Sequence, residues 1–462
     1  MRVTHIFFLL FIVSVFYILA IGNAGCAQIG MPTGGTKDSI PPRLVSASPK
    51  LNSTLVSGNK ITLTFNEYVD LKEAQTNILI SPFPKKSPAF DFKLKTVTVK
   101  LKDSLLPNTT YSINFGNAIV DNNEGNPLKD FTFVFSTGDQ IDSLTFAGKV
   151  LLAETGKADS TFIAMLYRHV DDSAVQKNKP DYMTRLNGDG SFVFVNLPAG
   201  NFKVYALKDG DGGKTYNSKK ELFAFSDTTV RLSKQMEPVI LYASAIEKES
   251  RTGTTTKPVL NKKLMFTLPP GTQAQDLLNP FELSFNNALK KFDPAKFILR
   301  DTNYNPIAST ICTIDSSRTK IKLTVKWQEA TDYRLIIDTT AVSDSADHQL
   351  IKTDTIRIIT KQQSDYGNVV LRFSNLDLTK HPVLQFVQGE DIKKSYPLKA
   401  LEWSDKFVPP GEYEIRILFD DNNNGKWDPG NYGQKLQPEK AITLSQKLGV
   451  RADWDNERDI KL

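Results

Sequence analysis

Apolar and polar residues alternate with a period of two along most of this chain. Ile61-Thr62-Leu63-Thr64-Phe65 is one such run, followed by Val97-Thr98-Val99-Lys100-Leu101, Tyr111-Ser112-Ile113-Asn114-Phe115 and Phe131-Thr132-Phe133-Val134-Phe135. Later come Phe202-Lys203-Val204-Tyr205-Ala206, Lys320-Ile321-Lys322-Leu323-Thr324-Val325 and Tyr413-Glu414-Ile415-Arg416-Ile417. Successive side chains on a strand point to opposite faces, so each run predicts a strand with one buried face. Turn-forming clusters such as Asn187-Gly188-Asp189-Gly190 and Asn422-Asn423-Asn424-Gly425 separate the runs. Helical periodicity is scarce. The pattern predicts an all-β protein of tandem β-sandwiches, not a parallel α/β sheet.

The pattern also repeats. Leu197-Pro198-Ala199-Gly200-Asn201-Phe202 through Asp209 recurs as Val408-Pro409-Pro410-Gly411-Glu412-Tyr413 through Asp420, at a constant shift (408 − 197 = 211 and 420 − 209 = 211). The same shift carries Tyr216 onto Trp427 and Asn217 onto Asp428. A looser pair relates Ile61–Asn66 to Phe281–Asn286 and Thr110–Phe115 to Asp332–Ile337. The chain therefore reads as two copies of a two-domain unit. At 462 residues it is too long for one sandwich core. The expected boundaries are 43–140, 141–241, 242–362 and 363–462.

The N-terminus reads as an address. A short basic start, Met1 to His5, precedes the apolar run Ile6 to Ile21 and the small residues Gly22 to Gly25. That is the layout of a cleaved signal peptide, here residues 1–25. Ala24-Gly25-Cys26 resembles a bacterial lipobox, which implies that Cys26 takes a diacylglycerol and becomes the first mature residue. Asn23 departs from the Leu or Val usual there. Ordinary cleavage after Ala27 is the competing reading, and a retained membrane helix the third. Ala27, in place of an Asp, implies outer-membrane sorting by the same resemblance. Residues 26–42, with Gly30, Pro32, Gly34, Gly35, Pro41 and Pro42, read as a tether.

Ile40-Pro41-Pro42-Arg43-Leu44-Val45, Ile61 to Val69 and Tyr111 to Phe115 resemble a bacterial Ig-like domain. The units with the Pro-x-Gly-x-aromatic strand resemble prealbumin-like, collagen-adhesin B-type sandwiches. By that resemblance 43–140 and 242–362 are Ig-like, and 141–241 and 363–462 prealbumin-like. The block Cys26 to Asp38, continuing through Asn114-Phe115-Gly116-Asn117-Ala118-Ile119-Val120-Asp121, is similar to Ig-like lipoproteins of the Bacteroidota. The resemblance implies an outer-membrane lipoprotein and no activity.

The net charge of +6 is spread thinly, with no dense basic run among aromatics, so nucleic-acid binding is not expected. There are two cysteines, and with Cys26 committed to lipid, Cys312 reads as a small buried hydrophobe. No nucleophile elbow, zinc motif or phosphate loop is present, and His169, His348 and His381 are isolated. The best chemical candidate is Asp420-Asp421-Asn422-Asn423-Asn424-Gly425-Lys426-Trp427-Asp428. Counting from Asp420, side-chain oxygens fall at Asn422, Asn424 and Asp428, with the Lys426 carbonyl between and Gly425 at the sharp turn. That is the alternation of a calcium loop. Asn431 stands where the loop's bidentate Glu belongs, so a carboxylate from elsewhere is needed for tight binding; the plain alternative is a polar turn. In the first copy Gly213 replaces Asn424, which reads as a degenerate version. Trp427 could stack on a sugar or a partner, or simply cover the hairpin.

The expected function is a non-catalytic outer-membrane lipoprotein, anchored by lipid and docked as a scaffold or accessory subunit on an outer-membrane protein complex for β-barrel assembly or transport. A surface adhesin or glycan-binding protein is the alternative, and a glycan hydrolase the third reading.

Overall fold

A computed structural model describes residues 9–15, 37–168, 171–234, 236–247, 263–268, 274–308 and 310–462. Cys26, the tether up to residue 36 and His169 lie outside the described residues. Residues 9–15 are helical, and among the described residues no helix is long and apolar enough to cross a membrane.

Beyond residue 43 the described residues are mostly strand and turn, with single helical turns such as Ala74–Asn77 and Ala174–Lys177, and the strands form four successive groups of sheets. The first group holds β1 (Leu44–Ser48), β2 (Lys60–Phe65), β3 (Val69–Leu71), β4 (Leu79–Ser81), β5 (Ala89–Lys93), β6 (Thr96–Lys100), β7 (Thr110–Asn114), β8 (Ile119–Asp121) and β9 (Thr132–Ser136). The second holds β10 (Leu144–Leu152), β11 (Ile163–Tyr167), β12 (Tyr182–Arg185), β13 (Ser191–Leu197), β14 (Gly200–Leu207), β15 (Phe223–Phe225), β16 (Val230–Leu232) and β17 (Val239–Ala243). The third holds β18 (Phe266–Thr267), β19 (Phe281–Phe285), β20 (Leu289–Phe292), β21 (Phe297–Arg300), β22 (Ile311–Ile314), β23 (Lys320–Thr324), β24 (Asp332–Ile337), β25 (Val342–Asp344) and β26 (Asp354–Ile359). The fourth holds β27 (Gly367–Ser374), β28 (Pro382–Gln388), β29 (Asp391–Pro397), β30 (Glu402–Val408), β31 (Gly411–Phe419), β32 (Lys440–Thr443), β33 (Leu448–Val450) and β34 (Asp455–Lys461).

The sheet orders duplicate. In the first group they are β1-β2-β6-β5, β4-β7-β9 and β3-β8; in the third they are β18-β19-β23-β22, β21-β24-β26 and β20-β25. The second group has β13-β10-β17 and β12-β11-β14-β15 with β16 on β14; the fourth has β30-β27-β34 and β29-β28-β31-β32 with β33 on β31. The shift of 211 read from the sequence superposes Gly200 at the start of β14 on Gly411 at the start of β31. All-β tandem sandwiches are thus what the alternation produces. In the first group Ile61, Leu63 and Phe65 of β2 meet Val97 and Val99 of β6 and Ile113, Phe133 and Phe135 of the facing sheet.

One feature departs from simple alternation. Ala164 to Tyr167 on β11 and Val204 to Leu207 on β14 are buried without a break, as are Pro382 to Val387 on β28 and Ile415 to Leu418 on β31. A strand buried at every position is covered on both faces. Ala164, Leu166, Val204 and Ala206 point into the second sandwich, while Met165, Tyr167, Tyr205 and Leu207 form a separate core on its other side. The second and fourth sandwiches meet on these faces. Ala441 N–H donates to the Ala153 carbonyl at 2.8 Å. Lys157 reaches Glu414 at 2.5 Å, and Glu414 also holds the buried Arg416. Gln437 donates to the Phe225 carbonyl at 3.0 Å and to Asp227 at 2.6 Å. Gly156 sits at φ +68° with the Ala441 carbonyl 2.5 Å from where a Cβ would stand, so only glycine fits this contact.

Neighbouring sandwiches also touch in sequence order. Phe83 N–H donates to the Asp181 carbonyl at 2.7 Å, and Arg185 caps the carbonyls of Thr76 and Asn77. Leu277 N–H donates to the Tyr366 hydroxyl at 2.7 Å.

Buried carboxylates finish equivalent strands. Asp121, at the end of β8, accepts from the N–H groups of Asn123 (3.0 Å), Glu124 (2.6 Å), Gly125 (3.0 Å) and Asn126 (2.7 Å). Asp344, at the end of β25, accepts from Ala346 N and His348 N at 3.0 Å and from Asn287 Nδ2 at 2.7 Å. His348 thus serves a cap, with Nδ1 at 3.0 Å from Asp344. Burial raises the Asp121 carboxyl, but the four N–H donors more than offset it and leave it below the usual carboxylate range. Its contribution to stability is then complete above the unfolded value, about 3.9, and fades as pH falls through the lower folded value. Asp121→Ala should cost about 2–3 kcal/mol in urea unfolding at pH 7, and the penalty should shrink when the titration is repeated towards pH 3.

Candidate functional site

The excursion between β31 and β32 holds the residues that the sequence singled out. The Asp420 carboxylate is buried and accepts from Asn424 N (3.1 Å) and Gly425 N (2.6 Å), which folds the chain sharply back at Gly425, φ +78°. Asn422 Oδ1 accepts from Asn424 N at 3.1 Å, and Asn424 Oδ1 from Lys426 N at 2.7 Å. The two amide Nδ2 groups converge on one oxygen, Asp428 Oδ2, at 2.5 Å from Asn422 and 2.6 Å from Asn424. Asp420, Asn422, Asn424 and Asp428 are therefore brought together, with the exposed Lys426 between them. Among the described residues no set of three His, Cys, Asp or Glu side chains is already gathered as a metal cluster.

A residue with no signal in the spacing completes this corner. Glu439, just ahead of β32, accepts from Asp428 N–H at 2.9 Å through Oε2 and is only 5 % exposed. Its Oε1 is buried and has no hydrogen-bond partner. Burial raises the Glu439 carboxyl, the charges of Asp420 and Asp428 raise it further, and nearby backbone N–H groups offset this only in part. Trp427 is half-buried, and its Nε1–H donates to the Glu439 carbonyl at 2.8 Å, so it lies over the hairpin.

The first copy shows the same loop solved differently. Asp209, Asp211, Gly213 and Asn217 stand where Asp420, Asn422, Asn424 and Asp428 stand in the second (209 + 211 = 420, 217 + 211 = 428). There Asn217 Nδ2 donates to Asp211 at 2.9 Å, and Asn217 N–H donates to Glu221 at 3.1 Å. The position of Gly425 is held by Lys214, whose ammonium lies 3.3 Å from Asp209. The first copy thus supplies its own positive charge.

Beyond Asp428 the excursion sends Tyr432 across into the second sandwich. Its ring sits among Tyr205, Tyr216, Phe223 and Phe225 at centroid distances of 5.7, 6.2, 5.2 and 5.1 Å. Its hydroxyl donates to the Asp172 carbonyl at 2.7 Å and lies 2.9 Å from the Tyr205 hydroxyl. Burial pushes the Tyr432 phenol well above its ordinary range. Lys435 stacks over the same ring at 3.9 Å and pairs with Asp172 at 2.8 Å. Sequence reasoning missed Tyr432, a single aromatic in a polar loop.

The other sequence candidates are placed plainly. Cys312, on β22, is partly buried and unpaired, and burial pushes its thiol up to about 12. His381 closes a short turn at φ 46°. Trp454, which the sequence reading passed over, is 60 % exposed beside Arg451.

Residues 38–137 match the family profile of the bacterial Ig-like domain. The first sandwich is an Ig-like domain. No curated protein matches the chain. Among solved structures, PcoC, a methionine-rich copper resistance protein from Escherichia coli, is 20 % identical over 21 % of this chain and 98 % of its own, with a TM-score of 0.17. The Bacillus anthracis TIE protein is 10 % identical over 93 % of this chain and 76 % of its own, at 0.17. BcpA, the major pilin subunit of Bacillus cereus, is 10 % identical over 69 % and 99 %, at 0.16. Likenesses at such TM-scores carry no argument about arrangement or role.

Tyr432→Ala should cost about 3–5 kcal/mol and free the fourth sandwich from the second, read as a lower urea midpoint and a larger radius of gyration in solution scattering. Tyr432→Phe should keep the docking at a cost of about 1–3 kcal/mol, since it strands the Asp172 carbonyl and the Tyr205 hydroxyl.

Proposed function

We propose that this protein is a non-catalytic scaffold at the bacterial outer membrane, held by lipid on Cys26 and docked on an outer-membrane protein complex. The observation that carries the reading is the outer face of the second sandwich. On β13, Phe192 and Phe194 point inward while Val193 and Val195 are exposed. Ala147 pairs with Val193 across the sheet, and the exposed Ile240 pairs beside Lys149. The matching face of the fourth sandwich is charged: Arg372 lies among Glu402, Glu457 and Asp459. An apolar strand face kept in one copy and charged in the other fits a protein partner. The seam between the second and fourth sandwiches supports the same reading, because it turns a string of domains into a body that can present a face in a fixed direction.

The lipobox and the Bacteroidota resemblance support outer-membrane anchoring through Cys26. Glycan binding is the second reading. Trp427 favours it little, since its N–H is spent on Glu439; the exposed Trp454 favours it more.

Affinity purification of the tagged full chain from gently solubilised outer membranes tests this. The expected result is a stoichiometric membrane protein that is lost from a Val193→Glu/Val195→Glu variant of unchanged stability. Recovery of the chain alone, together with glycan-array binding lost in Trp454→Ala, would move the assignment to an adhesin. Radiolabelled palmitate incorporation abolished by Cys26→Ser is the expected outcome for the anchor.

A further inference from the structure

The two copies of the β14–β15 and β31–β32 excursions answer one electrostatic problem in opposite ways. In the first, carboxylates of Asp209, Asp211 and Glu221 share a loop with the Lys214 ammonium, 3.3 Å from Asp209 and 3.5 Å from the Gly212 carbonyl. In the second, Asp420 and Asp428 flank a turn where the equivalent position is Gly425, with no side chain at all, and Glu439 is joined to it through the Asp428 N–H at 2.9 Å. No ion pair joins any of these three carboxylates to a Lys or Arg among the described residues. Glu439 is nine-tenths buried and keeps one oxygen, Oε1, without a partner. A buried carboxylate oxygen without a donor is costly, and two neighbouring carboxylates make it more so. The sister loop pairs an ammonium with its own carboxylate, whereas here Lys426 is exposed and pairs with none of the three.

We propose that Asp420, Asn422, Asn424, the Lys426 carbonyl, Asp428 and Glu439 bind one calcium-like divalent cation, and that the bound ion fastens the segment carrying Tyr432 into the second sandwich. The donors are all hard oxygens, and the ligand alternation from Asp420 to Asp428 suits a flexible coordination shell of six or more. Glu439 supplies the carboxylate that Asn431 fails to supply at the end of the loop. The ion displaces the Asn422 and Asn424 amide donors from Asp428. Each amide tilts so that its Oδ1, which already accepts from the Asn424 or Lys426 N–H, is shared with the ion through its second lone pair. The coupling follows from the chain path. Asp428 and Glu439 are tied at 2.9 Å by Asp428 N–H and at 3.1 Å by Glu439 N–H to the Asp428 carbonyl. Residues 429–438, with Tyr432, Lys435 and Gln437, form the loop closed by that tie, and all three cross the seam. An ion bridging Asp420, Asp428 and Glu439 fixes both ends of the segment at once.

The test uses the full chain, stripped with chelator and titrated with calcium, with magnesium as control. The expected result is one calorimetric site with a dissociation constant of about 10⁻⁴–10⁻³ M or tighter, and slowed hydrogen exchange in residues 429–438 and around Tyr205. Glu439→Gln keeps the shape and removes one charge; it should weaken calcium at least about tenfold while the ion-free protein stays as stable or gains. Gly425→Lys installs the first copy's solution at a φ that Lys214 itself adopts (59°), and should give calcium-independent protection of the Tyr432 segment. Absence of binding at about 10 mM calcium would overturn the site. Binding untouched by Glu439→Gln would remove Glu439 from it, and binding without protection of residues 429–438 would overturn the coupling.

Discussion

Tyr432 leaves one sandwich and completes the aromatic core of another. The strands it reaches, β11 and β14, are already covered on their inner face, so its arrival closes the second face and leaves them with no wet side. Burial on this scale makes the seam an intrachain interface with the character of a core. The hydrogen bonds and ion pairs between the second and fourth sandwiches run from Ala441 to Ala153, Lys157 to Glu414 and Gln437 to Phe225. They frame the aromatic cluster around Tyr432, and Val383, Val387 and Leu418 on the facing strands are buried as well.

Buried Asp side chains of this protein hold turns. Asp121 and Asp344 each collect several donors at the ends of equivalent strands, and His348 serves the second of these caps. Such residues look like chemistry in a sequence because they are acidic, clustered and flanked by Asn and Gly. Their geometry shows why: an Asp that accepts successive N–H groups needs small or left-handed residues after it. The Asp420 loop differs from these caps in one respect. It has a further carboxylate, Glu439, beside it with one buried oxygen, Oε1, that no donor reaches.

Much of the fold was legible from the alternation, because period two is imposed by the pleat. Double burial was present but harder to read. Phe162 to Tyr167, Val204 to Leu207 and Ile417 to Phe419 break the alternation with continuous apolar runs, a pattern that a buried helical segment gives equally well. The repeat exposed the loop and its degenerate partner through the shift of 211. It did not expose Glu439, whose distance from Asp428 along the chain follows no fixed spacing. Lys214 was open to the same alignment, since it falls opposite Gly425. Tyr432 had no periodic neighbour to mark it, because an aromatic plug works by reach across a seam and not by pattern within a strand.

The order of synthesis gives the seam a further consequence. The second sandwich emerges with Tyr205, Tyr216, Phe223 and Phe225 already in place, but the ring that seals them is encoded near the end of the chain. Until the fourth sandwich has been made and has docked, that half-built aromatic pocket faces solvent. Nascent chains with exposed apolar surface are the ones that misassemble or recruit chaperones. A truncation anywhere before Tyr432 therefore leaves an upstream domain sticky, although that domain's own sequence is intact.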